Sequence, residues 1–173
     1  MTDQRKTITV VQGDYAVSRD PAVTLSTVLG SCIAVCLFDR QRQVGGMNHF
    51  LLATASDLAS DDLKYGVNAM ELLIIKLLRL GVERHRLEAK LFGGARMTDH
   101  SRDIGASNAR FAQDFLSKEG IPCLSSSLGG TKARRVQFIP TTGYARQLQI
   151  AGPPPVPELP KRTPRPQQEI TLF

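Results

Sequence analysis

The chain has 173 residues and a mass of 19.0 kDa, which is the size of one ordinary domain. Hydrophobic residues make up 42% and charged residues 22%, so the composition supports a packed core and excludes wholesale disorder. The net charge of +6 favours acidic partners, whether nucleic acid, an anionic membrane surface or an acidic protein.

The sequence carries no sign of a membrane anchor, a leader or a disulfide framework. It has no run of about 18 apolar residues. Its polar start, residues 1–9, lacks the apolar centre of a signal peptide. Three cysteines, an odd number, argue against paired disulfides. We therefore expect a cytoplasmic protein with no stable membrane insertion.

Hydrophobic periodicity predicts two helices and seven strands. The first helix is expected over residues 63–80, between a cap at Asp61 or Asp62 and a stop at Gly81. The second helix is expected over residues 104–118. The predicted strands cover residues 8–11, 33–38, 44–50, 87–92, 123–127, 136–139 and 145–149. Because strands outnumber helices and occur in consecutive groups, the pattern favours an α+β fold over a doubly wound α/β sheet.

The prolines divide the chain at about residue 150. Seven of the ten lie between Pro153 and Pro166, so residues 151–168 are predicted to form a polyproline-rich, solvated stretch. Residues 1–150 are then the single folded domain, and residues 151–173 a disordered tail with an apolar end. That end, residues 169–173, is either an idle terminus or a short motif that docks in a partner's groove.

Two apolar runs on either side of residues 39–43 predict a β-hairpin. If Phe38 faces Val44, Cys32 faces Phe50, whereas a loop one residue longer places Cys32 opposite His49. A bulge at residues 45–46, a Gly-Gly pair, could shift the register by one. The hairpin is therefore expected to bring Cys32 and His49 together on strands about 5 Å apart.

Cys32 is the candidate nucleophile and His49 its candidate base. Cys32 follows Gly30 and Ser31, where a turn can expose a side chain and direct backbone N–H groups. Cys36 lies inside an apolar run, where a cysteine is usually a small core residue. The two cysteines would lie about 13 Å apart on a strand, too far for one metal ion. The alternative is that Cys32 is a core residue and His49 a hydrogen-bonded structural one.

Five stretches of the chain resemble one known family. In order they are TVLGSCIAVCLFD from Thr27, GGMNHF from Gly45, KYGVNAMELLI from Lys64, LEAKLFGGARM from Leu87 and LGGTKARRVQF from Leu128. Over roughly residues 9–148 they are similar to the CheD family of chemoreceptor glutamine deamidases. The resemblance implies conversion of selected receptor glutamines to glutamates with release of ammonia. It also implies a layered β-sheet sandwich with helices packed on one face, related to toxin-type Cys-His deamidases.

The resemblance also implies the site residues. The separation of 17 between Cys32 and His49 fits the family's catalytic pair. The family's third catalytic position, a hydroxyl residue six before the cysteine, falls on Ser26, with Thr27 beside it. His49 is expected to favour the Cys32 thiolate, below the free-thiol pKa of about 8.5, and backbone N–H groups near Gly30 and Ser31 to hold the oxyanion. No metal and no cofactor are expected.

Further candidates for substrate binding lie elsewhere. Asn48, beside His49, is either a site residue or a satisfied core amide. Lys132, Arg134 and Arg135 form a basic cluster, which is either a solvated edge or a docking site for the acidic, glutamate-rich helices of a receptor. Two Gly-Gly pairs, at residues 93–94 and 129–130, follow strands and either make tight turns or shape the substrate groove.

The expected partners are methyl-accepting chemotaxis receptors as substrate and, by resemblance, a CheC-type phosphatase. The competing function is an adaptor that binds these partners without turnover, but the presence of Cys32 and His49 favours an enzyme. Nucleic-acid binding rests on charge alone, since the sequence has 6% aromatic residues and no recognisable nucleic-acid-binding motif. We therefore expect no nucleic-acid partner.

Overall fold

A computed structural model describes residues 4–52, 60–97, 103–150 and 171–173. The strands of this part of the chain are β1 (Lys6–Thr9), β2 (Tyr15–Ser18), β3 (Val23–Leu29), β4 (Ile33–Asp39), β5 (Val44–Phe50), β6 (Glu88–Gly93), β7 (Cys123–Leu128), β8 (Arg134–Ile139), β9 (Tyr144–Gln149) and β10 (Thr171–Leu172). The helices are α1 (Ser60–Arg79) and α2 (Ile104–Lys118), and a short 3-10 helix spans Arg84–Arg86.

The strands build two five-stranded sheets. The outer sheet has the order β1-β3-β8-β9-β10, and the central sheet has the order β2-β5-β4-β6-β7. Pairing is antiparallel except between β1 and β3 and between β6 and β7. Both helices pack on the central sheet, on the face turned away from the outer sheet. The predicted α+β class and layered sandwich are therefore confirmed, while the relation to toxin-type deamidases stays a prediction.

The central sheet is buried on both faces. Every residue of β4 and β5 is buried, because alternate side chains of a strand point to opposite sides. Ile33, Val35 and Leu37 join the apolar core beneath the helices. Ala34 and Cys36 join the second core, which lies between the two sheets. A strand covered on both faces explains the unbroken apolar run in the sequence.

The two predicted helices are present. The range of α2 agrees with the prediction, and the carboxylate of Asp103 caps the helix by accepting a backbone hydrogen bond at 2.9 Å. Helix α1 begins three residues earlier than predicted, at Ser60. Asp61 and Asp62 are therefore residues of its first turn and not its cap, in a position where the helix dipole favours acidic side chains.

The β4–β5 hairpin has a register that neither predicted alternative matches. Asp39 pairs with Val44, so the loop comprises residues 40–43 and is one residue shorter than the shorter predicted loop. The side chain of Asp39 closes the turn, because its Oδ1 accepts two backbone N–H groups of the loop at 2.9 and 3.1 Å. This side-chain turn extends the strand by one residue beyond Phe38.

The prediction of a bulge at Gly45 and Gly46 is wrong. The strand pairing continues through Gly45 and Gly46 without a shift. A Cβ on Gly45 would lie 2.5 Å from the carbonyl oxygen of Pro140, and one on Gly46 would lie 2.7 Å from that of Ala16. The two glycines therefore allow other backbone segments to approach β5 closely.

Three strands of the structure have no counterpart among the predicted strands: β2, β3 and β10. In β3, Val23, Leu25 and Leu29 face the core between the sheets, and the Ser and Thr residues between them hide the apolar pattern. Strand β10 pairs antiparallel with β9, and the ring centroids of Phe173 and Phe92 lie 6.2 Å apart. The predicted polyproline stretch, residues 151–168, lies outside the described residues.

Within the described residues, neither helix has the length and apolar character that crossing a bilayer requires.

Candidate active site

A hydroxyl and a carbonyl group hold the imidazole of His49. The side chain lies on β5, faces the outer sheet and is 6% exposed. Oγ1 of Thr27, on β3, lies 2.8 Å from Nδ1 of His49. The carbonyl oxygen of Val10, just beyond β1, lies 3.2 Å from the same nitrogen and accepts a hydrogen bond from the Thr27 hydroxyl at 2.7 Å. The two sheets thus meet in one hydrogen-bonded cluster.

These contacts favour one tautomer of His49. A carbonyl oxygen can only accept, so the position of the Val10 oxygen favours a proton on Nδ1. The Thr27 hydroxyl gives its own proton to Val10 and offers a lone pair to the Nδ1 proton. Nε2 then carries a lone pair. Among the described residues this buried atom has no hydrogen-bond partner, so the ring presents a free basic nitrogen.

Cys32 lies on the same face of the central sheet as His49. His49 pairs with Ala34, two residues after Cys32, and the partly buried Cys32 packs against the core between the sheets. Diagonal neighbours of this kind lie about 7 Å apart along a sheet face, which two side chains can span. The thiol itself donates a hydrogen bond to Oε1 of Gln12, with a sulfur–oxygen distance of 3.6 Å.

Burial keeps both members of the pair neutral. Desolvation raises the pKa of the Cys32 thiol to about 11, against a smaller opposing effect of the residue's own backbone N–H. Desolvation also lowers the pKa of His49, against a smaller opposing effect of the hydrogen bond to Val10. The resting site therefore holds a thiol and a neutral imidazole at neutral pH. Both directions oppose the predicted thiolate with a pKa below about 8.5 in the free protein.

The backbone around Cys32 is fixed by the residues at the end of β6 and just after it, Gly93 to Ala95. The N–H of Gly94 donates to the carbonyl of Cys32, and the N–H of Ala95 donates to the carbonyl of Gly30, both at 2.9 Å. A Cβ on Gly93 would lie 2.1 Å from the Cys32 carbonyl oxygen, and φ at Gly93 is +116°. Glycine is required there because the two segments approach so closely.

A buried amide on α2 supports the same turn. Nδ2 of Asn108 donates to the carbonyl of Ser31 at 3.2 Å, and Oδ1 accepts the N–H of Leu52 at 2.8 Å. Asn108 is fully buried. Sequence reasoning did not place it at the site, although it is the one polar member of an apolar face of the predicted helix.

The hydroxyl group that contacts His49 belongs to Thr27 and not to Ser26. Side chains alternate along β3, so Thr27 points between the sheets together with Leu25 and Leu29. Ser26 points to the outer face of the outer sheet. The expectation that Ser26 orients the imidazole is therefore corrected, because period-two alternation assigns that position to its neighbour.

Asn48 lies on the opposite face of β5 from His49. Its Oδ1 accepts the N–H of Val35 at 3.0 Å, and its Nδ2 lies 3.4 Å from the sulfur of Met70 on α1. The side chain is 2% exposed. Of the two predicted alternatives, the structure places Asn48 as a satisfied core amide that does not face the site.

The predicted basic cluster is only partly on the surface. Arg134 is 2% exposed, and its guanidinium donates to the carbonyl of Ser127 at 2.6 Å and to the carbonyl of Gly129. Arg134 therefore stabilises the turn at residues 129–130 and is not available for docking. Lys132 is exposed, and Arg135 is half-buried on the outer face of the outer sheet.

Two surface cavities differ in their distance from Cys32. One of about 660 Å³ lies on the outer face of the outer sheet, lined by Arg5, Thr24 and Arg146 among others. Another of about 330 Å³ lies beside both Gly-Gly turns and includes Gly94, which hydrogen-bonds the Cys32 backbone. In the described ranges no three His, Cys, Asp or Glu side chains lie close enough together to hold a metal ion.

A family model and the relatives that are similar in sequence carry the same family description. A family model described as CheD chemotactic sensory transduction matches residues 51–148. A protein of Ruegeria sp. (strain TM1040) named probable chemoreceptor glutamine deamidase CheD 1 is 49% identical over 178 residues, covering 96% of this chain and 95% of the relative. A Caulobacter vibrioides protein named probable chemoreceptor glutamine deamidase CheD is 52% identical, covering 86% of each chain.

Solved structures give a more distant similarity. The Bacillus licheniformis hypothetical protein YfiH is 14% identical with a TM-score of 0.42, covering 73% of this chain and 60% of that one. YlmD from Geobacillus stearothermophilus is 10% identical with the same TM-score, covering 74% and 61%.

Proposed function

The chain belongs to the CheD family, and we propose that it hydrolyses glutamine side chains of methyl-accepting chemotaxis receptors to glutamates, releasing ammonia in the cytoplasm. The names of the relatives, probable chemoreceptor glutamine deamidases, support this substrate. The observation that carries the proposal is the state of His49. Its Nδ1 is bound to Thr27 and Val10, and its buried Nε2 has no partner among the described residues, on the sheet face that also carries Cys32.

In this proposal Cys32 is the nucleophile and His49 the general base. The thiol proton passes to Nε2 while the sulfur bonds to the carboxamide carbon. The imidazolium then gives that proton to the departing nitrogen, and ammonia leaves as the thioester forms. A water molecule activated by Nε2 hydrolyses the thioester, which yields glutamate and regenerates the thiol.

The pKa directions argue for proton transfer during the attack and not before it. Desolvation raises the pKa of Cys32 to about 11 and lowers that of His49, so an ion pair is disfavoured in the empty site. Once the reaction begins, the proton on Nδ1 of His49 is already directed at Thr27 and Val10, so the positive ring that forms has both acceptors in place.

The turn before Cys32 is proposed to hold the oxyanion through the backbone N–H groups of Gly30, Ser31 and Cys32. The rigidity of this turn supports the proposal, because the carbonyls of all three residues accept hydrogen bonds from neighbouring groups. Peptide units fixed in this way do not need to reorganise when negative charge develops on the substrate oxygen.

Receptor docking is proposed to involve Lys132 and Arg135. The outer face of the outer sheet carries Arg135 and Arg146, with Arg5 beside them, and the four longer strands of this sheet, β1, β3, β8 and β9, contain no acidic residue. Neither helix covers the outer face of this sheet. A basic face that neither helix covers is complementary to an acidic receptor surface.

The decisive experiment is intact-mass analysis of a receptor cytoplasmic fragment incubated with the protein, in which each deamidation adds about one dalton. Cys32→Ala and His49→Ala should each abolish the mass increase, and the double variant should be barely worse than either single one, because the two residues act as a unit. Cys123→Ala, at an exposed cysteine, is the matched control. Conversion by Cys32→Ala would rule out the thiol mechanism.

The second candidate function is an adaptor that binds receptors, or a CheC-type phosphatase, without turnover. It predicts that Cys32→Ala binds the receptor fragment as the unmodified protein does and that neither protein changes the fragment's mass. Receptor binding together with turnover by the unmodified protein supports the enzyme.

A further inference from the structure

The side chain of Gln12 meets the thiol of Cys32. Gln12 lies in the connection between β1 and β2, and its carboxamide oxygen accepts the thiol proton at a sulfur–oxygen distance of 3.6 Å. Sulfur is large, so this distance is that of a weak S–H···O hydrogen bond. In the described part of the chain it is the only side-chain hydrogen bond of Cys32. The group beside the thiol is thus a glutamine carboxamide, the functional group of the proposed substrate.

The backbone on both sides of Gln12 is anchored to His49. Before it, the carbonyl of Val10 contacts Nδ1 of the ring. After it, the N–H of Gly13 donates to the carbonyl of His49 at 2.8 Å, and the N–H of His49 donates to the carbonyl of Asp14 at 3.1 Å. The chain turns at Gly13, where φ is +90°. These contacts therefore hold the backbone on both sides of Gln12 beside His49.

Building on the proposed function, we propose that Gln12 is the resident occupant of the carboxamide subsite, which the receptor glutamine must displace. In this contact the thiol proton is donated to the amide oxygen of Gln12. The hydrogen bond therefore favours the thiol form of Cys32 and directs the thiol proton away from Nε2 of His49. An arriving substrate carboxamide displaces the Gln12 side chain and so breaks its hydrogen bond to the thiol. The thiol proton can then pass to Nε2 of His49. No bond forms to Gln12 itself, which stays a glutamine.

The test is the rate at which iodoacetamide alkylates Cys32, measured by intact mass in a Cys123→Ala background. This readout needs no receptor and no deamidation, so its failure is distinguishable from failure of the proposed function. Gln12→Ala should raise the rate about three- to fivefold, the effect of one weak hydrogen bond. Gln12→Asn, whose shorter side chain does not reach, should behave like Gln12→Ala. Gln4→Ala, at an exposed glutamine before β1, is the matched control.

Two further measurements separate an occupant from a merely structural residue. Acetamide, a small carboxamide, should protect Cys32 from alkylation at a lower concentration in Gln12→Ala than in the unmodified protein. With a receptor fragment, Gln12→Ala should lower KM and leave kcat within about twofold, because only competition for the subsite is removed.

The proposal is overturned by an alkylation rate that is unchanged or slower in both Gln12→Ala and Gln12→Asn. It is also overturned if peptide mapping finds Gln12 converted to glutamate in the unmodified protein but not in Cys32→Ala, because Gln12 would then be a substrate and not an occupant.

Discussion

The hydroxyl of Thr27 lies 2.8 Å from Nδ1 of His49 and at the same time donates to the Val10 carbonyl at 2.7 Å. Thr27 belongs to the outer sheet and His49 to the central sheet, so this contact ties the two layers together at the candidate base. It also decides which of two adjacent hydroxyl residues, Ser26 or Thr27, can act on the ring, because only one of them faces it.

Thr27→Ala is expected to lower deamidation of a receptor fragment about tenfold, since His49 keeps the Val10 carbonyl but loses its second acceptor. Thr27→Ser should restore most of the activity because the hydroxyl is kept. Ser117→Ala, which removes an exposed hydroxyl on α2, is the matched control. A larger loss in Ser26→Ala than in Thr27→Ala would show that the side chains exchange roles in the working enzyme.

The register of one hairpin explains how far the sequence could predict this site. The sequence predicts the two strands and the proximity of Cys32 and His49, because the apolar runs on either side of the loop are unambiguous. It does not predict the pairing, since the side chain of Asp39 closes a four-residue loop and no periodicity encodes that turn. The pair is therefore diagonal, with His49 opposite Ala34.

The contacts from outside the hairpin were less accessible to sequence reasoning. Strand β3 carries Thr27, but its Ser and Thr residues interrupt the apolar pattern that marks a strand. Its parallel neighbour β1 leads to Val10 and Gln12, and a parallel pairing between distant segments leaves no local signal. Asn108 was visible as a polar residue on an apolar helix face, yet its partner, the Ser31 carbonyl, is fixed only by the packing of α2.

The alkylation rate of Cys32 by iodoacetamide should still be rising with pH at pH 9. Burial raises the pKa of the thiol to about 11 in the folded protein. Because the thiolate is the reactive form, its fraction grows about tenfold per pH unit until the pH approaches that pKa. The rates are measured by intact mass in a Cys123→Ala background, since Cys123 is exposed. A plateau near pH 8 would mean that His49 lowers the pKa of the thiol and that the resting pair is ionic.

Cys36→Ala is expected to keep deamidase activity while lowering the free energy of unfolding by about 1–2 kcal/mol. Cys36 is fully buried between the sheets, so the variant removes a small packing group and leaves Cys32 in place. Urea unfolding measures the stability, and the receptor-fragment assay measures the activity. Cys123→Ala, at the surface, should change neither. Loss of turnover in a folded Cys36→Ala protein would mean that Cys36, and not Cys32, is the nucleophile.

Removal of residues 171–173 is expected to lower the melting temperature by about 3 °C, the effect of about 1 kcal/mol in a domain of this size. The truncation removes the pairing of β10 with β9 and the contact between the rings of Phe173 and Phe92. Phe173→Ala isolates the ring contact, which is expected to contribute about 0.5 kcal/mol of that total. If the truncated chain and Phe173→Ala both melt within about half a degree of the full chain, the C-terminal strand contributes nothing, as expected for an idle tail.

Gly93→Ala and Gly120→Ala form a pair that separates backbone strain from collision with the nucleophile turn. Both residues have positive φ, +116° and +67°, so alanine is strained at each. A Cβ on Gly120 meets nothing within 4 Å, whereas one on Gly93 would lie 2.1 Å from the carbonyl oxygen of Cys32.

Gly120→Ala should therefore cost about 1 kcal/mol of unfolding free energy and leave activity unchanged. Gly93→Ala should cost roughly 3 kcal/mol or more, because the Cys32 backbone must move. The displaced turn should also change the alkylation rate of Cys32 in whatever fraction remains folded, which urea titration and intact-mass kinetics measure on the same sample. Equal effects of the two substitutions would show that the end of β6 does not lie against the segment before β4, which would remove one support for the rigidity assigned to the turn at residues 30–32.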